Sequence, residues 1–173
     1  MSDRIAVMSK GHYEQLGDPE TLYERPQTRF VAGFLGVSNL LTGRPDGTDD
    51  GHALVRLADD TIVRVPRRYV TEAGSIQIGV RPEKIRIHDP AASPPEQHNR
   101  LFGTVRDASY MGVSTQYQVE LKNGSRITVY EQNVERAKHS ELWAPGEQVL
   151  LTWSPDHTFV IAEEPQAADA TAA

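Results

Sequence analysis

TQYQVELKNGSRITVYE, residues 115–131, alternates apolar and polar side chains on both sides of a Lys-Asn-Gly step. Alternation with a period of two is the mark of a strand with one buried face, so Tyr117, Val119 and Leu121 belong to one face and Ile127 and Val129 lie opposite them. Asn123 and Gly124 supply the positive φ that a tight hairpin turn requires. The stretch is therefore a β-hairpin, and similar runs recur around it. ALVRL (53–57) and TIVRV (61–65) flank the turn Ala-Asp-Asp, and SIQIGV (75–80) and KIRIH (84–88) flank Arg-Pro-Glu, which predicts two strand pairs. EQVLLTW (147–153) and HTFVIA (157–162) are expected as a closing pair, with Val149, Leu151 and Trp153 on one face and Phe159 and Ile161 on another. From Asn39 onward the pattern is that of a sandwich or small barrel. DPAASPPEQHN (89–99) reads as a surface loop or a linker between modules.

The front of the chain follows different rules. RIAVM (4–8), the turn SKGH and YEQLG (13–17) form a hairpin pattern. In DPETLYER (18–25) Asp18 stands at the N-cap and Pro19 at the first helical position, giving a short helix that Pro26 ends. In TRFVAGFLG (28–36) Thr28 caps a second helix, Phe30, Val31, Phe34 and Leu35 share a face, and Gly36 suits its C-terminal end. After Ile161 the sequence EEPQAADATAA holds no large apolar residue and predicts a disordered tail over 163–173.

Composition excludes several functions. The 173 residues contain no cysteine, hence no disulfide framework, thiolate nucleophile or cysteine-based zinc site, which fits a cytoplasmic protein. A net charge of −6 with scattered Lys and Arg argues against binding a nucleic acid. No stretch approaches the roughly 20 apolar residues of a membrane span, and Ser2, Asp3 and Arg4 do not begin a signal peptide. No glycine-rich loop followed by Lys and Ser or Thr is present to cradle a nucleotide's phosphates, so neither nucleotide binding nor hydrolysis is expected. The six histidines stand singly, away from ligand spacing, and predict no metal site. Ser109 and Ser114 lack an oriented base, so no catalytic residue is assigned. Tryptophans and phenylalanines are expected in the core, because they fall on apolar faces.

Two polar groupings are candidates for a ligand or an interface. In VRPEKIRI (80–87) Arg81 and Glu83 flank a rigid Pro82, an arrangement that holds a charge pair at fixed geometry or simply makes a structural turn. Tyr130, Glu131 and Asn133 end a strand, either lining a small site or merely terminating it.

The opening segment resembles the end of the ATPase domain in bacterial ABC-importer ATP-binding subunits, the group that includes the spermidine/putrescine, maltose and iron importers. The residues that carry the likeness are Asp3 to Met8, then Gly11, Gln15, Gly17, Pro19, Leu22, Tyr23 and Pro26, then Phe30 to Gly36 with Phe34 among them, and Asn39. VRPEKIRI and GTVRDASYMGVSTQYQVELKNG resemble that family's transport-associated oligonucleotide-binding-like (OB-like) domain, and the polyamine branch is favoured. The resemblance implies a mainly β fold: two small OB-like barrels over 39–162, preceded by a hairpin and two short helices over 1–38 that are the remnant of an ATPase domain. It implies a regulatory, dimerising and ligand-sensing role without ATPase activity here, because the phosphate loop, signature motif, catalytic glutamate and switch histidine are missing. ATP and magnesium would belong to the parent subunit alone. Expected partners are a second copy, permease subunits reached through the ATPase domain, and a small ligand; the expected location is the cytoplasmic side of the inner membrane. The alternative is a self-contained module binding a polyamine or an oxyanion, and a single-strand nucleic-acid binder stands third. Without an ATPase domain to cover them, Ile5, Val7, Phe30 and Phe34 are expected to be exposed, swapped or buried against another copy.

Overall fold

The computed structural model describes residues 2–67, 74–133 and 142–161. The predicted tail, 163–173, lies outside them. The front segment has the expected elements: strands β1 (Ile5–Ser9) and β2 (His12–Gly17), then helices α1 (Pro19–Glu24) and α2 (Arg29–Phe34). Asp18 caps α1 by accepting from the Thr21 amide at 2.8 Å, and Thr28 caps α2 through the Val31 amide at 3.2 Å. Helices of six residues do not persist alone in water, so packing must hold them. Gln15 ties the turn between them, donating to the Arg25 carbonyl and accepting from the Gln27 amide. Val7, Leu22 and Val31 close a small apolar cluster of their own.

Ten further strands follow among the described residues: β3 (Asn39–Asp49), β4 (His52–Leu57), β5 (Ile62–Pro66), β6 (Ile76–Val80), β7 (Arg86–His88), β8 (Asn99–Tyr110), β9 (Ser114–Leu121), β10 (Arg126–Gln132), β11 (Gln148–Trp153) and β12 (Thr158–Ile161). They form two five-stranded antiparallel sheets, β12-β6-β3-β4-β5 and β7-β11-β8-β9-β10. The hairpin β9–β10 has the predicted register, with Val119 opposite Ile127 and Tyr117 opposite Val129, and β4 pairs with β5 as expected.

Two predicted pairings are wrong in the same way. β6 and β7 do not pair with each other, and neither do β11 and β12. Each couple is joined by a 3-10 turn that begins with proline, Pro82–Lys84 and Pro155–His157. The turn redirects the chain without folding it back on itself, so the second strand of each couple crosses to the other sheet. β7 joins β11, and β12 joins β6.

When β3–β7 are matched with β8–β12, the two sheet orders coincide, so the fold is an internal duplication that exchanges its last strands. The edges of each sheet curl toward one another, β12 approaching β5 and β7 approaching β10, which gives two small OB-like barrels. One continuous apolar cluster, running from Leu41 to Trp153, fills both. β7 already belongs to the second sheet, so the loop over 89–98 connects strands within that sheet and does not link separate modules. Details repeat as well: a Cβ on Gly43 would lie 2.5 Å from Val55 Cγ1, and one on Gly103 would lie 2.5 Å from Val119 Cγ1.

Candidate functional site

Arg81 follows β6, at the start of the 3-10 turn, and is 1% exposed. A buried guanidinium requires partners for its fixed fork of donors, and here the front segment supplies them. Nη1 donates to Ser38 Oγ at 2.7 Å and to the carbonyls of Ala32 (3.0 Å), Gly36 (3.2 Å) and Val37 (3.3 Å). Nη2 and Nε donate to the Tyr23 carbonyl at 2.8 and 3.3 Å. The guanidinium also lies over the Tyr23 ring, 4.2 Å from its centroid, and 5.7 Å from that of Phe159. The Tyr23 and Ala32 carbonyls belong to the C-terminal ends of α1 and α2, where C=O groups carry partial negative charge, and those of Gly36 and Val37 lie just beyond α2. Burial pulls the guanidinium below its ordinary pKa while the Tyr23 and Glu83 charges oppose that pull. The cation holds both helices to the barrel and its donors are engaged by protein.

The same turn makes two more links. Tyr23 Oη donates to Glu83 Oε1 at 2.6 Å, and Lys84 pairs with Glu24 at 2.9 Å. Burial, followed by the bond to Glu83 and its charge, pushes the Tyr23 phenol up to about 12. Arg81 and Glu83 therefore do not pair with each other in the manner considered from sequence; they meet through Tyr23. Phe159 packs with Ala32 and Ile161 beneath this joint, and its ring occupies the space left by Gly79.

The second candidate group has a different setting. Asn133 pins the β8–β9 turn: it donates to the Gly112 carbonyl at 2.6 Å, accepts from Thr115 Oγ1 at 2.9 Å, and its amide reaches the Val113 carbonyl. Tyr117 Oη donates to Glu131 at 3.3 Å, and Tyr130 is half-buried beside it on β10. Among the described residues, no group of three or more His, Cys, Asp or Glu is arranged to hold a metal, and no helix is long and apolar enough to cross a membrane.

Residues 78–161 match the TOBE domain model. The chain is 43% identical over 164 residues to the spermidine/putrescine import ATP-binding protein PotA of Thermobifida fusca, with 93% of this chain and 41% of that protein covered. It is 42% identical to PotA of Acidothermus cellulolyticus, covering 99% of this chain and 43% of that one. The chain is the counterpart of the C-terminal part of a PotA-like ABC-importer ATP-binding subunit. It spans about two fifths of the length of these relatives and matches their TOBE region, not their ATPase domain. Among solved structures, the chain superposes on the cytoplasmic molybdate-binding protein ModG in a molybdate-bound crystal, with a TM-score of 0.60, 15% identity, and coverage of 70% of this chain and 94% of that one. At that identity the likeness establishes the OB-like fold.

Of the motif residues, Tyr23, Ala32 and Gly36 meet Arg81, and the others shape the front segment, join the barrels or stand exposed. Gly11 takes a φ of 81° in the β1–β2 turn, and Gly17 leaves room for Leu22, whose Cδ1 would sit 2.8 Å from an added Cβ. Pro26 is buried, Gly36 takes a φ of 141° beside Arg81, and Asp3 is exposed. Phe30 and Phe34 stack, centroids 6.0 Å apart, yet both are exposed, as is Ile5. The expected exposure thus holds for these three and not for Val7, which Leu22 and Val31 cover. Phe102 is exposed too, although a strand phenylalanine is expected in the core; Phe159 is buried there. Sequence reasoning missed Ser38 and Phe159 at the joint. It also missed Asn99, although NLLTG (39–43) and NRLFG (99–103) carry a visible shared pattern.

Proposed function

We propose that the chain is the regulatory region of the ATP-binding subunit of a polyamine-type ABC importer, acting at the cytoplasmic face of the membrane. The observation that supports this most is the Arg81 joint, which fastens an importer-type junction to a double barrel through both helix ends. A joint of that kind makes the barrels and the junction move as one body. A change in the barrels would therefore be passed to whatever the junction carries, which in the parent subunit is the nucleotide-hydrolysing domain with its permease partners and its second copy. The chain's own ATP turnover is expected at background, and robust turnover overturns the reading.

A second reading, a self-contained small-ligand sensor, is favoured by the ligand-bound fold neighbour. Calorimetric titration with spermidine, putrescine, sulfate and molybdate separates the two. Heat with spermidine or putrescine supports polyamine sensing by the regulatory region, heat with an oxyanion supports the second reading, and no heat with any of them supports a purely structural, dimer-forming role.

A further inference from the structure

A groove of about 470 Å³ crosses the outer face of β11, β8 and β9, away from the Arg81 joint. Strand register lays out its surface: Thr104 stands between Gln148 and Glu120, while Gly103 stands between Val149 and Leu121. Phe102 forms a wall and leaves 54% of its surface in solvent. Arg106 pairs with Glu120 at 2.8 Å, each holding the other in its charged form, and Lys122 has no ion-pair partner among the described residues. In a chain of net charge −6, this groove carries two cations and one carboxylate.

The duplication supplies an internal control. In the first barrel the positions of Phe102 and Lys122 are held by Thr42 and Ala58. The fold itself therefore demands neither the phenyl ring nor the ammonium. A ring left half in solvent, where the duplicate barrel has a threonine, is accounted for by a site-forming role and not by packing.

We propose that this groove binds a small organic anion with a planar apolar body: the body lies on Phe102, and the acid group meets the Lys122 ammonium with Thr104 and Gln148 at the rim. The volume falls within the roughly 300–1,000 Å³ of small-molecule sites. A protein partner would need about 800 Å² on each side, far more than one groove of this size presents. Arg106 and Lys122 repel polycations, so the site goes beyond the polyamine reading and stands or falls independently of it.

The test is a ¹H–¹⁵N spectrum of the 173-residue chain titrated separately with benzoate, indole-3-acetate, inorganic phosphate and spermidine. The aromatic carboxylates are expected to shift the amides of Gly103, Thr104, Leu121, Lys122 and Gln148 in a saturable way, and spermidine to leave them in place. F102T and K122A, which copy the first barrel and so retain the fold, should each weaken the aromatic acids tenfold or more. The proposal is overturned if neither aromatic acid shifts these amides, if phosphate binds as well as they do, if spermidine shifts the same amides, or if both variants bind like the parent.

Discussion

Asn39 and Asn99 occupy equivalent positions on β3 and β8, and each carboxamide grips the backbone of the opposite barrel. Asn39 donates to the Thr128 carbonyl at 2.8 Å and accepts from the Thr128 amide at 2.7 Å; Asn99 makes the same pair of bonds with Arg64, at 2.9 and 2.7 Å. Both asparagines are buried, and their partners Arg64 and Thr128 are half-buried. Asn39→Ala or Asn99→Ala would orphan one N–H and one C=O, at a cost of about 2–4 kcal/mol each. Urea denaturation should show similar losses for the two variants. A loss confined to one of them would contradict the equivalence.

Replacing Arg81 with methionine removes the donors that the ends of α1 and α2 share. Charge-assisted bonds are worth about 1.5–3 kcal/mol each, so a net loss of about 3 kcal/mol is expected at the joint. Hydrogen exchange should accelerate about a hundredfold over residues 19–37 while the sheets keep their protection. Uniform acceleration across the whole chain would show that the joint is not a separable unit.

Two glycine-to-alanine changes should differ in sign. At Gly79 an added Cβ would lie 2.2 Å from the Phe159 ring, and overpacking of this kind costs about 1–3 kcal/mol. At Gly33, inside α2, nothing lies within 4 Å, and alanine should stabilise by up to about 1 kcal/mol through helix propensity. Thermal melts of G79A and G33A check both, and equal shifts would refute the close contact.

Stability should decline at both ends of the pH range. Burial lowers the pKa of His88 and of His157 below 6.5, with Arg86 and Lys84 respectively adding to the effect, and the Nδ1 of His157 is buried without a partner. The unfolded chain then binds protons first, so stability is lost as the pH falls from 6.5 through the lower folded values. Tyr23 has the opposite window. Its phenol titrates near 10 when unfolded and about 12 when folded, so the stability it confers is complete below pH 10 and is lost as the pH rises toward 12. Urea midpoints measured against pH should show both limbs; H157N should flatten the acid limb and Y23F the alkaline one.

Local features were legible in sequence because near neighbours set them. The β9–β10 register follows from alternation plus Asn123 and Gly124, the latter at a φ of 81°. The caps at Asp18 and Thr28 follow from hydrogen bonds that span three residues. The role of Arg81 was less legible. A Pro-flanked Arg and Glu looks like a charge pair, yet the acceptors for Arg81 are mostly main-chain carbonyls, which every residue possesses and no side-chain pattern reveals.

By itself, then, the sequence determined a β-rich chain, its turns and caps, and its likeness to an importer subunit, since those rest on short-range periodicity and on motif letters. Only the tertiary structure decided which strands meet. The 3-10 turns at Pro82 and Pro155 send β7 and β12 across to partners more than sixty residues distant, as in Leu151 opposite Ile87 and Val160 opposite Ile78. Such pairing depends on how two sheets close around one shared core, a condition no local stretch of sequence contains.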